Sequence, residues 1–331
     1  MRIIALEEHV SLPEMAARIP EQLSQQRGWP QRDGDDSPMK AVQDRLEEVG
    51  DERLRLMDES GITMQVLSAT GAGADVLPPV AAIEFAKDYN DRLAEKIAAH
   101  PDRFAGFAHL PMTAPEAAAD ELERAVQEHR FPGALINGMT EGKFLDNAQF
   151  APILARAEKL GVPLYLHPNV PPAAVREVYY DGLKPALSTQ LGMAGWGWHS
   201  ETAIHVLRLI LSGTLERYPA LQLIIGHMGE MLPVMMGRCD MVFKKEITGL
   251  SRTISESLQA QVYITTSGIF TQPPLHAAIE TFGIDRILFS VDYPYAENRQ
   301  GRSFLDAMSL SPMDMEKIAH GNADRLLRLI S

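Results

Sequence analysis

The chain has 331 residues, 45% hydrophobic and 23% charged, which fits one large α/β barrel or two medium domains and is long enough to bury most of its apolar surface. The formal net charge of −13 argues against nucleic acid as a partner, because phosphate binding needs clustered Lys and Arg. The single Cys239 excludes an internal disulfide framework and suits a cytoplasmic location, while the lack of a basic leader or of any apolar run of about 18 residues gives no expectation of a signal peptide or membrane span.

The first strand, Ile3 to His9, starts almost at the first residue and carries charge where a buried strand should be apolar. Strand side chains alternate faces, so Ile3, Ala5, Glu7 and His9 are expected on one face and Ile4, Leu6 and Glu8 on the other. Glu7 and His9 then stand side by side at the C-terminal end of the strand. A solvated turn is the plainer reading of that end, since charged residues are mostly exposed.

A long irregular stretch is expected at about 11–41, punctuated by Pro13, Pro20, Pro30 and Pro38 and by a polar run around Asp33. Gln43 to Asp58 reads as one helix with Leu46, Val49, Leu54 and Met57 inward, ended by Gly61. A strand over Ile62–Leu67, a helix over Ala81–Ala99 and a strand over Phe104–Leu110 follow. Thr113 and Glu116 have capping-box spacing for the next helix. Gly133–Ile136 is a short strand, Ala148–Leu160 a helix closed by Gly161, and Pro163–His167 a strand. Pro168–Trp198 reads as a second long loop, and His199–Ser212 as a periodic helix. Strands over Leu221–Gly226, Val262–Thr265 and Ile287–Phe289 alternate with helices over Pro233–Phe243, Pro274–Phe282 and Met313–Leu329.

Eight short apolar strands alternating with helices imply a parallel (β/α)8 barrel, with 1–331 as a single domain. A doubly wound open sheet is disfavoured, because no G-x-G-x-x-G follows the first strand. In a barrel, catalytic groups belong at strand C-termini. Glu7 and His9, His167, His227 and Asp292 all fall there, on four different strands. A lone strand-end histidine is usually structural; four strand ends behaving alike are not readily a coincidence. Imidazole and carboxylate together suit Zn2+ or Mn2+. His100, His129, His276 and His320 read as solvated, His205 as lying beside a helix's inward stripe, and His109 as a weaker pocket candidate. Glu8 is expected to pair locally and Cys239 to be a small helix residue.

Glu7-x-His9, Leu166-His167-Pro168, His227-Met-Gly-Glu230 and Ser290-Val-Asp292-Tyr-Pro294 together resemble the amidohydrolase superfamily. Within it they resemble the amidohydrolase-2 branch, which includes γ-resorcylate, 2,3-dihydroxybenzoate and 2-amino-3-carboxymuconate semialdehyde decarboxylases. Arg53–Asp58, Thr265–Gly268 and Gly321–Ala323 extend the resemblance over nearly the whole chain. It implies Glu7, His9, His167 and Asp292 as ligands of one divalent metal. It implies His227 and Glu230 as proton-relay groups behind them and Arg238 as a substrate-carboxylate contact. Asn137, where a bridging lysine would stand, favours one metal over two. Phe150–Leu154 and Gly195–Ser200 depart from the branch, which bears on the substrate more than on the fold.

The expected activity is metal-dependent, non-oxidative decarboxylation of a hydroxylated aromatic or related unsaturated acid. Asp292 would move the proton, His227 and Glu230 would assist, and Trp196 and Trp198 would line an aromatic pocket. The same residues would also serve a mononuclear hydrolase of a lactone, ester or amide, with Asp292 as general base. A non-catalytic barrel is disfavoured by an intact Asp292 and an expected open coordination position, since structural zinc sites are usually closed by four protein ligands. The expected partner is a small carboxylic acid, with neither nucleic acid nor membrane. The long loops and the resemblance imply a homodimer or homotetramer.

Overall fold

The computed structural model describes residues 1–29 and 39–329. The strands are β1 (Ile4–Val10), β2 (Met64–Ala69), β3 (Phe104–Gly106), β4 (Ala108–His109), β5 (Ala134–Asn137), β6 (Leu164–His167), β7 (Leu223–Ile225), β8 (Val262–Thr265) and β9 (Ile287–Leu288). All pair in parallel, in the orders β1-β2-β3 and β4-β5-β6-β7-β8-β9. β3 and β4 are halves of one strand interrupted at Phe107, whose N–H donates to the Leu67 carbonyl at 2.8 Å. The ring closes where Leu6 bridges Ser290 and donates its N–H to the Phe289 carbonyl at 3.2 Å. The result is the (β/α)8 barrel implied by the sequence.

Each strand position around the ring sends a side chain inward. Ile4 and Leu6, Val66, Phe107, Leu135, Tyr165, Ile224, Tyr263 and Leu288 form the interior cluster, joined from below by Ala323 and Leu327. Ile3 and Ala5 pack instead in the larger apolar layer between sheet and helices. Strict alternation would therefore turn Glu7 outward with them. It does not, because the β1–β2 register shifts between Ala5 and Glu8. Glu7 adopts a left-handed conformation, φ 60°, within this bulge. A bulge reverses the facing of the residues beyond it, so Glu7 and His9 sit over the interior with Leu6. The expected shared face holds for Glu7 and His9, but Ile3 and Ala5 lie on the opposite one.

The two long loops contain more helix than the sequence suggests. Short helices run over Pro13–Ala16 and Glu21–Arg27, and Lys40–Glu47 begins within the expected loop. Pro13 opens its helix and Pro20 caps the next; a proline there costs no hydrogen bond, so these prolines start helices. The acidic run around Asp33 lies outside the described residues. Between 168 and 198 the chain forms helices Ala173–Tyr179 and Pro185–Gly192. The single helix expected over Gln43–Asp58 is two, Lys40–Glu47 and Asp51–Ser60, separated at Gly50, whose φ −155° and ψ −135° are non-helical. The Thr113 capping box does not form: helix Pro115–Glu128 starts at its proline, and Thr113 Oγ1 donates to the Leu77 carbonyl at 3.0 Å. No described helix is long and apolar enough to cross a membrane.

Candidate metal centre and active site

Glu7, His9 and His167 bring one donor atom each within 4.8 Å of one another at the C-terminal rim of the barrel. Glu7 is fully buried. Its Oε2 accepts from the Tyr165 and Ser267 hydroxyls and from Thr265 Oγ1 at 3.3 Å. Its Oε1 has no hydrogen-bond partner among the described residues and lies 3.5 Å from His167 Nε2. One oxygen is thus anchored and the other presented. The space for this carboxylate is left by Gly226, where an added Cβ would stand 2.7 Å from Glu7 Oε2.

The histidines are oriented from behind. His167 Nδ1 donates to the Pro168 carbonyl at 2.7 Å, which leaves Nε2 as a lone-pair donor. His9 Nδ1 faces Ser68 Oγ at 3.3 Å, and its Nε2, like Glu7 Oε1, is buried without a hydrogen-bond partner among the described residues. That Nε2 stands 3.2 Å from Asp292 Oδ1, close but not aligned for a hydrogen bond. The His9 and His167 rings meet edge to face, with centroids 4.9 Å apart. Burial, helped by the neighbouring His9 and His227, pushes the His167 imidazole down to about 3, so it is neutral and able to ligate. Two orphaned buried atoms, a neutral imidazole and carboxylates facing one space fit a divalent cation.

Asp292 follows β9 and is held at φ 73°. Burial opposes its ionisation, but His227 and His9 outweigh burial and hold its carboxyl well below the usual range. His227 Nε2 lies 3.8 Å from Asp292 Oδ2 and 3.9 Å from Glu7 Oε1, while its Nδ1 donates to Glu230 Oε1 at 2.8 Å. Burial would lower the His227 imidazole, yet Glu230 and Glu7 raise it well above its ordinary value. Glu230 is buried; burial favours its neutral form, but His227 and His199 bring its carboxyl down to about 2. Glu7, His227, Glu230 and Asp292 all have left-handed backbones. Such conformations are rare for residues other than glycine and gather at functional sites.

A model of the amidohydrolase family matches residues 9–329. The chain belongs to the amidohydrolase family. The γ-resorcylate decarboxylase of Rhizobium sp. (strain MTP-10005) is 40% identical to this amidohydrolase-family chain, with 98% of each chain covered. A dihydroxybenzoic acid decarboxylase from Polaromonas sp. JS666, solved with bound manganese and the inhibitor 2-nitroresorcinol, is 37% identical with a TM-score of 0.86, covering 99% of this chain and 97% of that one. The 5-carboxyvanillate decarboxylase of Sphingomonas paucimobilis is 31% identical with a TM-score of 0.89, covering 99% of both chains.

The remaining sequence candidates of this amidohydrolase-family chain divide. Trp198 lies beside the centre, with its ring 6.3 Å from that of His167 and 6.1 Å from that of Trp29. Its indole Nε1 is buried without a hydrogen-bond partner among the described residues. Trp196 is 51% exposed, and Arg238 is exposed on helix Leu232–Val242. His109 accepts the Ala74 N–H at 2.9 Å and His205 the Leu145 N–H at 2.9 Å, so both are buried structural acceptors. Asn137 ends β5, and its carbonyl accepts from Asn169 Nδ2 at 3.0 Å.

The sequence reading missed the groups that grip the candidate ligands. Tyr165, Thr265 and Ser267 hold Glu7, Ser68 faces His9, and His199 reaches Glu230. Strand alternation places Tyr165 two residues before His167 on the same face, which is a usable signal. For His199 the only signal is its place after Trp198.

Proposed function

We propose that the chain is a divalent-metal-dependent, non-oxidative decarboxylase of a hydroxylated aromatic carboxylic acid. The observation that carries the reading is the convergence of Glu7, His9, His167 and Asp292, with Glu7 Oε1 and His9 Nε2 unpartnered, in a chain 40% identical over its length to a γ-resorcylate decarboxylase. Those four residues would hold one ion per chain, and Asn137 in place of a lysine leaves no bridging ligand for a second. Manganese is the favoured ion because the Polaromonas relative was solved with it; zinc suits the same donors. When bound, the ion supplies positive charge that orients the substrate carboxylate or ortho-oxygen and offsets negative charge on the ring.

The chain's own residues then make two proton transfers. Asp292, ionised before substrate arrives, accepts the proton of the ortho-hydroxyl and delivers it to the ring carbon that bears the carboxylate. The C–C bonding pair returns to the ring as CO2 leaves, and the product is a phenolate. His227, oriented by Glu230, returns a proton to that oxygen. Each turnover consumes one proton from solvent and releases one CO2, with no change in oxidation state. Trp198 forms an apolar wall for the ring. Arg238 and Trp196 are exposed in the single chain, so their service to substrate requires an assembled form. Exposed Val178, Tyr179 and Leu187 on the neighbouring helices support self-association as a homodimer or homotetramer.

The test is metal removal and return. Chelated protein should release no CO2 from 2,6-dihydroxybenzoate or other ortho-hydroxybenzoates, and one equivalent of Mn2+ or Zn2+ per chain should restore release. A fully metallated protein that releases no CO2 from an ortho-hydroxybenzoate panel, yet puts 18O from labelled water into a hydrolysed lactone or ester, contradicts the proposal and makes the chain a hydrolase.

A further inference from the structure

His199 sits in the first turn of helix Gly197–Leu211, directly after Trp198 and next to the turn that ends at the N-cap residue Trp196. Its two ring nitrogens both face acceptors. Nδ1 lies 2.6 Å from Glu230 Oε2, and Nε2 lies 2.9 Å from the Ala194 carbonyl.

Glu230 is therefore shared. Its Oε1 accepts from His227 and its Oε2 from His199, with the two rings edge to face at 4.8 Å. The Glu230 backbone is left-handed, as are those of Met228 and Met231 beside it. The carboxylate thus hangs from an unusual turn and takes its orientation from its two partners. His227 is the only one of these that reaches the candidate metal ligands. His199 stands one hydrogen-bonded group further back.

We propose that His199 is a positioning residue: it fixes the Glu230 carboxylate, and through it the orientation of His227, while tying the turn at Ala194 to the start of the helix. The inference rests on the decarboxylase reading for its catalytic consequence, but not for the contact itself. The arrangement is a carboxylate–imidazole support with a second imidazole behind it. Removing such an outer partner characteristically costs about 10–100-fold in activity.

The test uses the metal-loaded full chain and three variants. His199→Phe keeps the ring volume but has no donor, His199→Ala removes both, and His199→Asn keeps an N–H near the Nδ1 position. The expected result is a kcat loss of about 10–100-fold for Phe and Ala, with KM within about threefold and metal content unchanged. Asn should recover most of the loss, because one donor to Glu230 suffices. Histidine 15N NMR on the same samples provides a readout independent of turnover: the His227 Nδ1–H signal should move in Phe and Ala and return in Asn. A residue that merely stabilises the helix would lower thermal stability in all three without this pattern. Unchanged His227 resonances in His199→Phe, or Phe turnover within twofold of wild type, overturns the proposal. An inactive wild type whose His227 signal still responds to His199→Phe overturns the decarboxylase reading and leaves the positioning contact standing.

Discussion

At the scale of single residues, the site pairs one anchored acid with one poised acid. Glu7 is held by three hydroxyls and can present only Oε1. Asp292 is not so encumbered: His9 is on one side, His227 on the other, and its side chain is 17% exposed. It alone of the four candidate ligands combines access to a substrate with a neighbour that can exchange protons. Asp292→Asn keeps the shape and a ligating oxygen but cannot carry a proton. With metal occupancy restored by excess ion and measured on the same sample, kcat should remain about 10²–10⁴-fold below wild type. Turnover within a few-fold of wild type in the fully metallated variant would remove Asp292 from the proton-transfer role.

At the scale of elements, the fold supports the rim through a second carboxylate. Glu8, turned away from the centre by the β1 bulge, accepts the Val291 N–H at 2.8 Å and the Tyr293 N–H at 3.2 Å. These amides flank Asp292, so Glu8 clamps the turn that holds it at φ 73°. Arg53 completes the brace, donating to the His9 carbonyl at 2.5 Å and lying over the Tyr293 ring at 4.7 Å. Glu8→Ala leaves two buried N–H groups unpaired, which costs about 1–3 kcal/mol each. Chemical denaturation should show that loss in both the apo and metallated protein, whereas a Glu8 that matters only through the metal would show it in the metallated form alone. Helix Gly197–Leu211 carries a different burden. Glu201 is buried, and its Oε1 is unpaired among the described residues. Burial outweighs the attraction of Arg27 and pushes its carboxyl from 4.5 up to about 8. The folded state then holds a proton that the unfolded chain releases above its lower pKa. Stability is therefore fully present below about pH 4.5 and falls as pH rises towards 8. Thermal melting followed from pH 5 to 8 should fall more steeply for wild type than for Glu201→Gln, and parallel curves would contradict this assignment.

At the scale of the molecule, the sequence carries the barrel well and its exceptions poorly. Alternating apolar strands and helices are local signals, so the ring of strands and the strand-end positions of His167, His227 and Asp292 can be read directly. The bulge at Glu7 cannot. It is set by the β1–β2 register, which links residues about sixty positions apart, and it decides whether Glu7 faces the centre at all. The helices at Pro13–Ala16 and Glu21–Arg27 escaped because proline signals both a break and a beginning. His199 escaped because a helix-start histidine acquires meaning only once Glu230 is beside it. The function of the whole molecule reduces to one claim: a ring carbon exchanges its carboxylate for a proton at this rim. Turnover of 2,6-dihydroxybenzoate by metallated protein in D2O tests that claim most directly. One deuterium should appear at the vacated ring carbon for each CO2 released, with both signals abolished by chelation. Product without deuterium at that carbon, or no CO2 from any ortho-hydroxybenzoate by metal-saturated protein, would contradict it.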